Sequence, residues 1–245
     1  MKKLKKSKYV QPIKKEEPSR LKSLMPLIIV ALLAVAIILG VTLITAGDNK
    51  SFTSSTSTKG TQSNESTQSA DSNLIKADVE ATSCYADIEI ENYGTITVYL
   101  DAQSAPMTVN NFVSLAKSGF YDGLTFHRII EGFMMQGGDP LGNGTGGSDT
   151  TITGEFVDNG YANYLSHTRG TISMARSTAF NSASSQFFIM HEDAPHLDGA
   201  YAAFGQVTSG IEVVDAICEA TPVQDMNGTV SAANQPRIKE IRIVE

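Results

Sequence analysis

Phe126-His127-Arg128-Ile129-Ile130-Glu131-Gly132-Phe133-Met134-Met135-Gln136-Gly137-Gly138-Asp139 is the stretch from which the rest of this chain becomes readable. Thr125 to Ile130 and Phe133 to Gln136 are short apolar runs parted by glycine, which predicts two short strands. Within the first run sits Arg128. A guanidinium is costly to bury without partners, so this residue needs either an acidic partner at a sheet edge or a chemical task.

The same logic extends in both directions. Upstream, Tyr85 to Glu91 alternates, with Ala86, Ile88 and Ile90 on one face. Thr95 to Leu100 alternates again after Asn92-Tyr93-Gly94, predicting two strands and a tight turn. From Pro106 the apolar spacing changes to Val109, Phe112, Val113, Leu115 and Ala116, a helical stripe with Gly119 as its C′ residue. Downstream, Thr171 to Ala175, Gln186 to Met190 and Ala202 to Val207 predict further short strands, and Ser148 to Phe156 predicts a loop and then a strand. Ile211 to Ala220 has helical spacing, and Arg237 to Val244 alternates as a closing strand. Many short strands and two helices predict a mainly β barrel.

Other motifs carry less. Gly142-Asn143-Gly144-Thr145-Gly146-Gly147 satisfies a dinucleotide-binding glycine pattern literally, but neither the required preceding strand nor the following helix is predicted, so it reads as a glycine-rich loop. No nucleophile-elbow pattern is present, and the four histidines are not spaced as metal ligands. Asn143-Gly144-Thr145 and Asn227-Gly228-Thr229 are formal glycosylation sequons and are assigned no role. Cys84 and Cys218 leave both a disulfide and two separate thiols open.

With these elements in place, the chain resembles the cyclophilins. Phe126 to Asp139 is similar to the family signature. Asn143 to Gly147, Ile172-Ser173-Met174-Ala175, Ser185-Gln186-Phe187-Phe188-Ile189, Leu197-Asp198-Gly199 and Phe204-Gly205 follow in the family's order. The resemblance implies a closed eight-stranded antiparallel β-barrel capped by two α-helices, and peptidyl-prolyl cis/trans isomerase activity on proline-containing peptides. By matching position it implies that Arg128 is the catalytic cation, acting with Phe133 and Gln136. Met134, Phe188 and Leu197 would complete the apolar proline pocket around Phe133, and Ala175 and Gln186 would hold the flanking peptide. Arg176 stands where many members carry Asn and would offer its backbone. His196 stands where the best-known members carry Trp, which removes an indole donor important for tight cyclosporin binding, and Tyr201 replaces a His on the pocket wall. Rotation about a peptide bond requires no metal and no organic cofactor. A non-catalytic proline-binding module, or a chaperone using the same groove, is the alternative.

The amino-terminal third is different in kind. Residues 1–23 carry nine basic residues against Glu16 and Glu17, and Leu24 to Ala46 runs 23 residues without a charge. At 1.5 Å per residue that length crosses a hydrocarbon core of about 30 Å, so residues 24–46 read as a transmembrane helix in contact with the bilayer. A secretory signal cleaved on export is the competing reading, although signal h-regions span only about 7–15 residues. The basic excess places the amino terminus in the cytoplasm and the remainder outside the membrane. In residues 47–78 the segment Ser51 to Ser72 holds 13 Ser or Thr among 22 residues, a disordered linker by composition. Residues 79–245 form the isomerase domain, with 7 basic and 20 acidic residues and a net charge of −13. That balance argues against nucleic acid as a partner. The expectation is a monomeric domain on a membrane-anchored chain of bacterial type, acting on unfolded or exported proteins.

Overall fold

The computed structural model describes residues 80–244. The basic tail, the expected transmembrane helix 24–46 and the linker 47–78 lie outside the described residues. Among the described residues no helix is long and apolar enough to cross a membrane.

Eight strands form one antiparallel sheet: β1 Cys84–Ile90, β2 Gly94–Leu100, β3 Thr125–Ile130, β4 Met134–Asp139, β5 Thr171–Met174, β6 Phe187–Met190, β7 Ala203–Ser209 and β8 Ile238–Val244. Their spatial order is β3-β4-β6-β5-β7-β2-β1-β8. β1 and β2 pair from Cys84 opposite Leu100 to Ile90 opposite Gly94, and the predicted alternation holds: Ala86, Ile88, Ile90, Ile96, Val98 and Leu100 are all buried. The sheet curls until β3 and β8 approach, where they share one bridge, Thr125 with Arg237. The Phe126 N–H donates to the Pro236 carbonyl at 2.9 Å beside it. Pro236 has no N–H to extend this ladder. In place of the expected closed barrel the eight strands form a curled sheet with a short seam between its edge strands.

Helix α1, Pro106–Lys117, buries Val109, Phe112 and Ala116 against the sheet. Proline at its first turn costs no hydrogen bond. At its end the Gly119 N–H donates to Ala116 O and the Phe120 N–H to Leu115 O, with Gly119 at φ +72, the predicted left-handed C′ position. Its start holds a surprise. The N-cap residue Ala105 has no capping side chain, and the Glu155 carboxylate accepts from Met107 N at 3.0 Å, Thr108 N at 2.7 Å and Thr108 Oγ1 at 2.7 Å instead. Helix α2, Ile211–Ala220, buries Val213, Val214, Ile217 and Cys218. Phe112 lies at the centre of an aromatic core, 5.2 Å from Tyr121, 5.5 Å from Phe187 and 5.3 Å from Phe204.

The strand expected towards Phe156 is not formed; only a single bridge, Ile152 with Ala183, is present. Glu155 is turned inward to cap α1, and Gly154 is pressed so closely against Phe180 O and the Phe156 ring that a β-carbon could not be accommodated. Cys84 and Cys218 are separate thiols, the first half-buried and the second buried, with burial pushing the Cys218 pKa up to about 12.

Candidate active site

An undistorted β3 would put Phe126 and Arg128 on the same face. They are on opposite faces because the register slips: Phe126 opposes Gly137, Arg128 opposes Gln136, and His127 is the extra residue between them. This bulge keeps Phe126 and Ile129 in the main core while Arg128 and Ile130 turn outward. Gly137 makes the close approach possible, since a β-carbon there would lie 2.8 Å from Thr125 O.

Ordinary alternation does the rest. On β4, Met135 points into the main core while Met134 points out. On β6, Phe187 and Ile189 point in while Phe188 and Met190 point out. Register then aligns Arg128, Gln136, Phe188 and Ser173 across β3, β4, β6 and β5. On this outer face Met134, Phe188, Met190, Ala194 and Leu197 form a second small core, with Phe133, Ala175 and Tyr201 packed against it. A cavity of about 170 Å³ opens there, and its wall includes Arg128, Phe133, Met134, Gln136, Ala175, Arg176, Phe188, Leu197 and Tyr201. Nine of the eleven residues singled out from sequence thus meet at one cavity. A second recess of about 230 Å³ adjoins it, sharing Gln136, Ala175 and Arg176 and reaching Gln186. His196 is exposed at the rim, stacked on Phe133 at 5.7 Å and 26°.

Arg128 is not the acid-paired edge residue of the structural alternative: among the described residues it forms no salt bridge with a carboxylate. Its Nε donates to Asn227 O at 2.9 Å and its Nη1 to Gln136 Oε1 at 3.3 Å, while Nη2 makes no protein hydrogen bond among the described residues. Burial pulls its pKa down from the usual arginine value, and Tyr201 and Asp225 act in the other direction. The cation is therefore partly desolvated, anchored on one edge and open on the other.

A relay fixes that orientation. Gln136 Nε2 donates to Gln186 Oε1 at 2.9 Å, and Gln186 Nε2 donates to Gly144 O at 3.1 Å and Gly146 O at 2.7 Å. The Gln186 amide is thus occupied by protein partners, and it acts on the site by holding Gln136. The glycine loop is held in turn by Asp139, whose carboxylate accepts from the backbone N–H groups of Leu141, Asn143 and Gly144. Burial pushes the Asp139 pKa up, but the backbone donors, Gly146 included, outweigh it and hold the carboxyl below its usual range. Contrary to expectation a strand, β4, does lead into the loop, but no α-helix opens after it, so it remains a glycine-rich loop rather than a nucleotide motif.

Three features were not legible beforehand. The Arg176 guanidinium lies 4.7 Å from the Tyr201 ring centroid, 5.0 Å from Phe156 and 5.1 Å from Phe180, and donates to Ala200 O through Nε and Nη2. Its side chain braces the cavity wall. Beneath Phe188, the His167 ring stacks at 6.0 Å and 20°, with Nδ1 2.9 Å from Asp198 Oδ1 and Nε2 3.0 Å from Ser173 Oγ. Burial depresses the His167 pKa despite Asp198, so the neutral ring donates to the carboxylate and accepts from the hydroxyl. His191 Nδ1 accepts the Gly132 N–H at 2.8 Å, and its backbone N–H donates to Phe133 O at 2.9 Å, fixing the turn that presents Phe133. Adjacent Leu197-Asp198 and Ile172-Ser173 in the sequence were the available hints for the His167 arrangement, but nothing local indicated its partners. Among the described residues no group of three or more His, Cys, Asp or Glu is placed to hold a metal ion.

The comparisons point one way. A family model described as cyclophilin type peptidyl-prolyl cis-trans isomerase/CLD matches residues 85–245. A Helicobacter pylori peptidyl-prolyl cis-trans isomerase is 46% identical over 145 residues, covering 58% of this chain and 86% of that protein. Peptidyl-prolyl cis-trans isomerase B of Bacillus subtilis is 49% identical over 123 residues, covering 50% and 82%. Among solved structures, a Cryptosporidium parvum cyclophilin type peptidyl-prolyl cis-trans isomerase superposes with a TM-score of 0.59 at 32% identity, covering 67% of this chain and 99% of that one. It has also been crystallised in the presence of the dipeptide Ala-Pro.

Proposed function

The chain belongs to the cyclophilin-type peptidyl-prolyl cis-trans isomerases and is an enzyme that rotates X–Pro peptide bonds, and on that premise we propose that Arg128 is its catalytic cation and the cavity before it the proline seat. The observation that carries the assignment is the half-anchored guanidinium, with one edge held by Asn227 and Gln136 and Nη2 uncommitted beside the apolar wall.

Amide resonance sets a barrier of about 18–20 kcal/mol to X–Pro rotation. At the twisted transition state the prolyl nitrogen loses conjugation and gains an available lone pair, so a fixed N–H donor stabilises that state more than either planar one. Turnover near 10³ s⁻¹ requires a barrier of about 13 kcal/mol, leaving roughly 5–7 kcal/mol for the protein to supply. A charge-assisted hydrogen bond from Arg128 contributes about 1.5–3 kcal/mol. Removing the proline ring from water against Phe133, Met134, Phe188 and Leu197, and holding the flanking chain while the other side turns, supplies the remainder. Gln136 keeps Arg128 in register and has one N–H left for the substrate. Ala175 and Arg176 form the sill to the second recess, where a neighbouring residue of the peptide lies; Tyr201 and His196 close the wall and rim.

Residues 24–46 anchor the chain in the cell membrane with its amino terminus in the cytoplasm, and a monomeric catalytic domain acts outside on exported proteins whose folding waits on proline. The apolar length, beyond that of a signal h-region, supports an anchor over a cleaved signal, and the flanking charge supports its orientation. Two measurements test these roles. Titrating the protein with an Ala-Pro peptide and with its Ala-Ala counterpart, followed by NMR, should shift Phe133, Phe188 and Leu197 only with proline present; equal shifts with both peptides would remove the proline seat from this cavity. Sequencing the amino terminus of the mature membrane-fraction protein should show residues 24–46 retained, and a start beyond Ala46 would establish cleavage instead.

A further inference from the structure

We propose that the groove on the other side of Arg128 from the proline cavity is an extended-substrate site that binds the polar backbone of the polypeptide flanking the isomerised bond. The proposal rests on the proline seat described above and begins with His127, the bulged residue of β3. This histidine is only 5% exposed, and neither Nδ1 nor Nε2 has a hydrogen-bond partner. Burial lowers its pKa and Arg128 acts in the same direction, against Asp139. A neutral imidazole carries one donor and one acceptor, and buried groups of this kind are nearly always satisfied.

Beside that ring opens a groove of about 740 Å³, against about 170 Å³ for the proline cavity. It is bordered by His127, Gly144, Gln224, Thr229 and Ser231, and it shares Arg128 and Gln136 with the catalytic cavity. No carboxylate lines it, although the domain carries 20 acidic residues. Gly144, at φ +88, has its missing β-carbon 3.5 Å from His127 Nε2, so the glycine puts no side chain between the buried ring edge and the groove that both residues line. The far wall is fixed to β3 by Val230 N–H to His127 O at 2.9 Å and Ile129 N–H to Gly228 O at 2.8 Å.

These features select the occupant. An extended polypeptide presents a backbone donor and acceptor in alternation about every 3.3 Å, which suits a wall of mixed polar and apolar groups without a carboxylate and an unsatisfied imidazole. Because the groove and the proline cavity meet at Arg128 and Gln136, a chain seated by its proline continues directly into the groove. Unfolded chains are thus better substrates than tetrapeptides.

The test uses the full-length chain and a four-residue X–Pro peptide, compared with the same core extended by six residues on its amino or its carboxyl side. One extension should raise kcat/KM about tenfold, equivalent to about 1.4 kcal/mol at the transition state. Ala232→Trp, at an exposed position on the groove wall, and His127→Phe, which keeps a ring without nitrogens, should each reduce the ratio of long to short kcat/KM to below twofold. Equal kcat/KM for all three peptides would overturn the proposal. So would a ratio unchanged in both variants, or a loss in His127→Phe that affects short and long peptides alike, since that marks a histidine acting through the fold of the site rather than on the extension. Arg128→Ala separates the two readings: if it leaves the short-peptide rate intact, the catalytic role of Arg128 fails, whatever the ratio of long to short peptides.

Discussion

Replacing Gln136 and Gln186 by leucine, singly and together, isolates how the site keeps its cation aimed. Leucine approximates the shape of glutamine but removes its amide. Gln136→Leu deletes the acceptor 3.3 Å from Arg128 Nη1 and leaves the guanidinium held by Asn227 O and a weak contact from Nη1 to the Met134 sulfur at 3.9 Å. A hydrogen bond to a charged group is worth about 1.5–3 kcal/mol, so kcat/KM should fall about 10- to 100-fold. Gln186→Leu leaves that bond in place but removes the neutral bond that orients the Gln136 amide. At about 0.5–1.5 kcal/mol this predicts a loss of roughly 2- to 10-fold. Because both act through one guanidinium, the double variant should lose no more than Gln136→Leu alone. The assay is cis-to-trans conversion of an X–Pro tetrapeptide, with melting temperatures recorded for each protein. Multiplying losses would refute the relay and mean that Gln186 reaches the substrate by a separate route.

Other consequences follow from the same contacts. Asp139 has its folded-state pKa below the ordinary value of 3.8, so the stability it confers is present above that value and is lost as pH falls through the lowered one. Asp139→Asn should flatten that acid limb in a melting-temperature series, and an unchanged limb would show that the loop does not depend on the charge. Glu155→Ala leaves the buried N–H and hydroxyl of Thr108 without their acceptor, and denaturant unfolding should show a loss of about 2–4 kcal/mol; a loss below about 1 kcal/mol would mean that another acceptor replaces it. Arg176→Asn, the residue many family members carry, removes three ring contacts and the bonds to Ala200 O. Stability should fall by about 1–2 kcal/mol while kcat/KM stays within about threefold, and a larger catalytic loss would assign the side chain to the substrate.

What the sequence disclosed depended on the range of the interactions involved. β1, β2 and α1 have one buried face each, so Ile88, Val98 and Phe112 mark a period that any reader of the chain recovers, and Gly119 ends α1 through a local backbone requirement. The site residues surfaced through a family signature, and cross-strand register explains why that signature has its order: Arg128, Gln136 and Phe188 are neighbours across three strands. What escaped was non-local. Glu155 caps a helix that begins 49 positions earlier in the chain, and its inward turn displaced the strand expected before Phe156. Arg176 finds its rings on separate loops. The bulge at His127 inverts the facing of Arg128, and a simple alternation through Thr125 to Ile130 would have left that cation in the core. The expected membrane segment lies outside the described residues and is carried by its apolar length and the basic charge before it.

The most direct test of the central claim is the X–Pro isomerisation rate of the full-length chain beside Arg128→Ala, with circular dichroism to show that both are folded. The parent should accelerate isomerisation, and the variant should lose about 10²-fold or more in kcat/KM, about 2.7 kcal/mol of transition-state stabilisation. A folded Arg128→Ala protein that keeps the parental rate would contradict that claim, leaving the half-anchored guanidinium as a binding element and the catalysis to the apolar cavity.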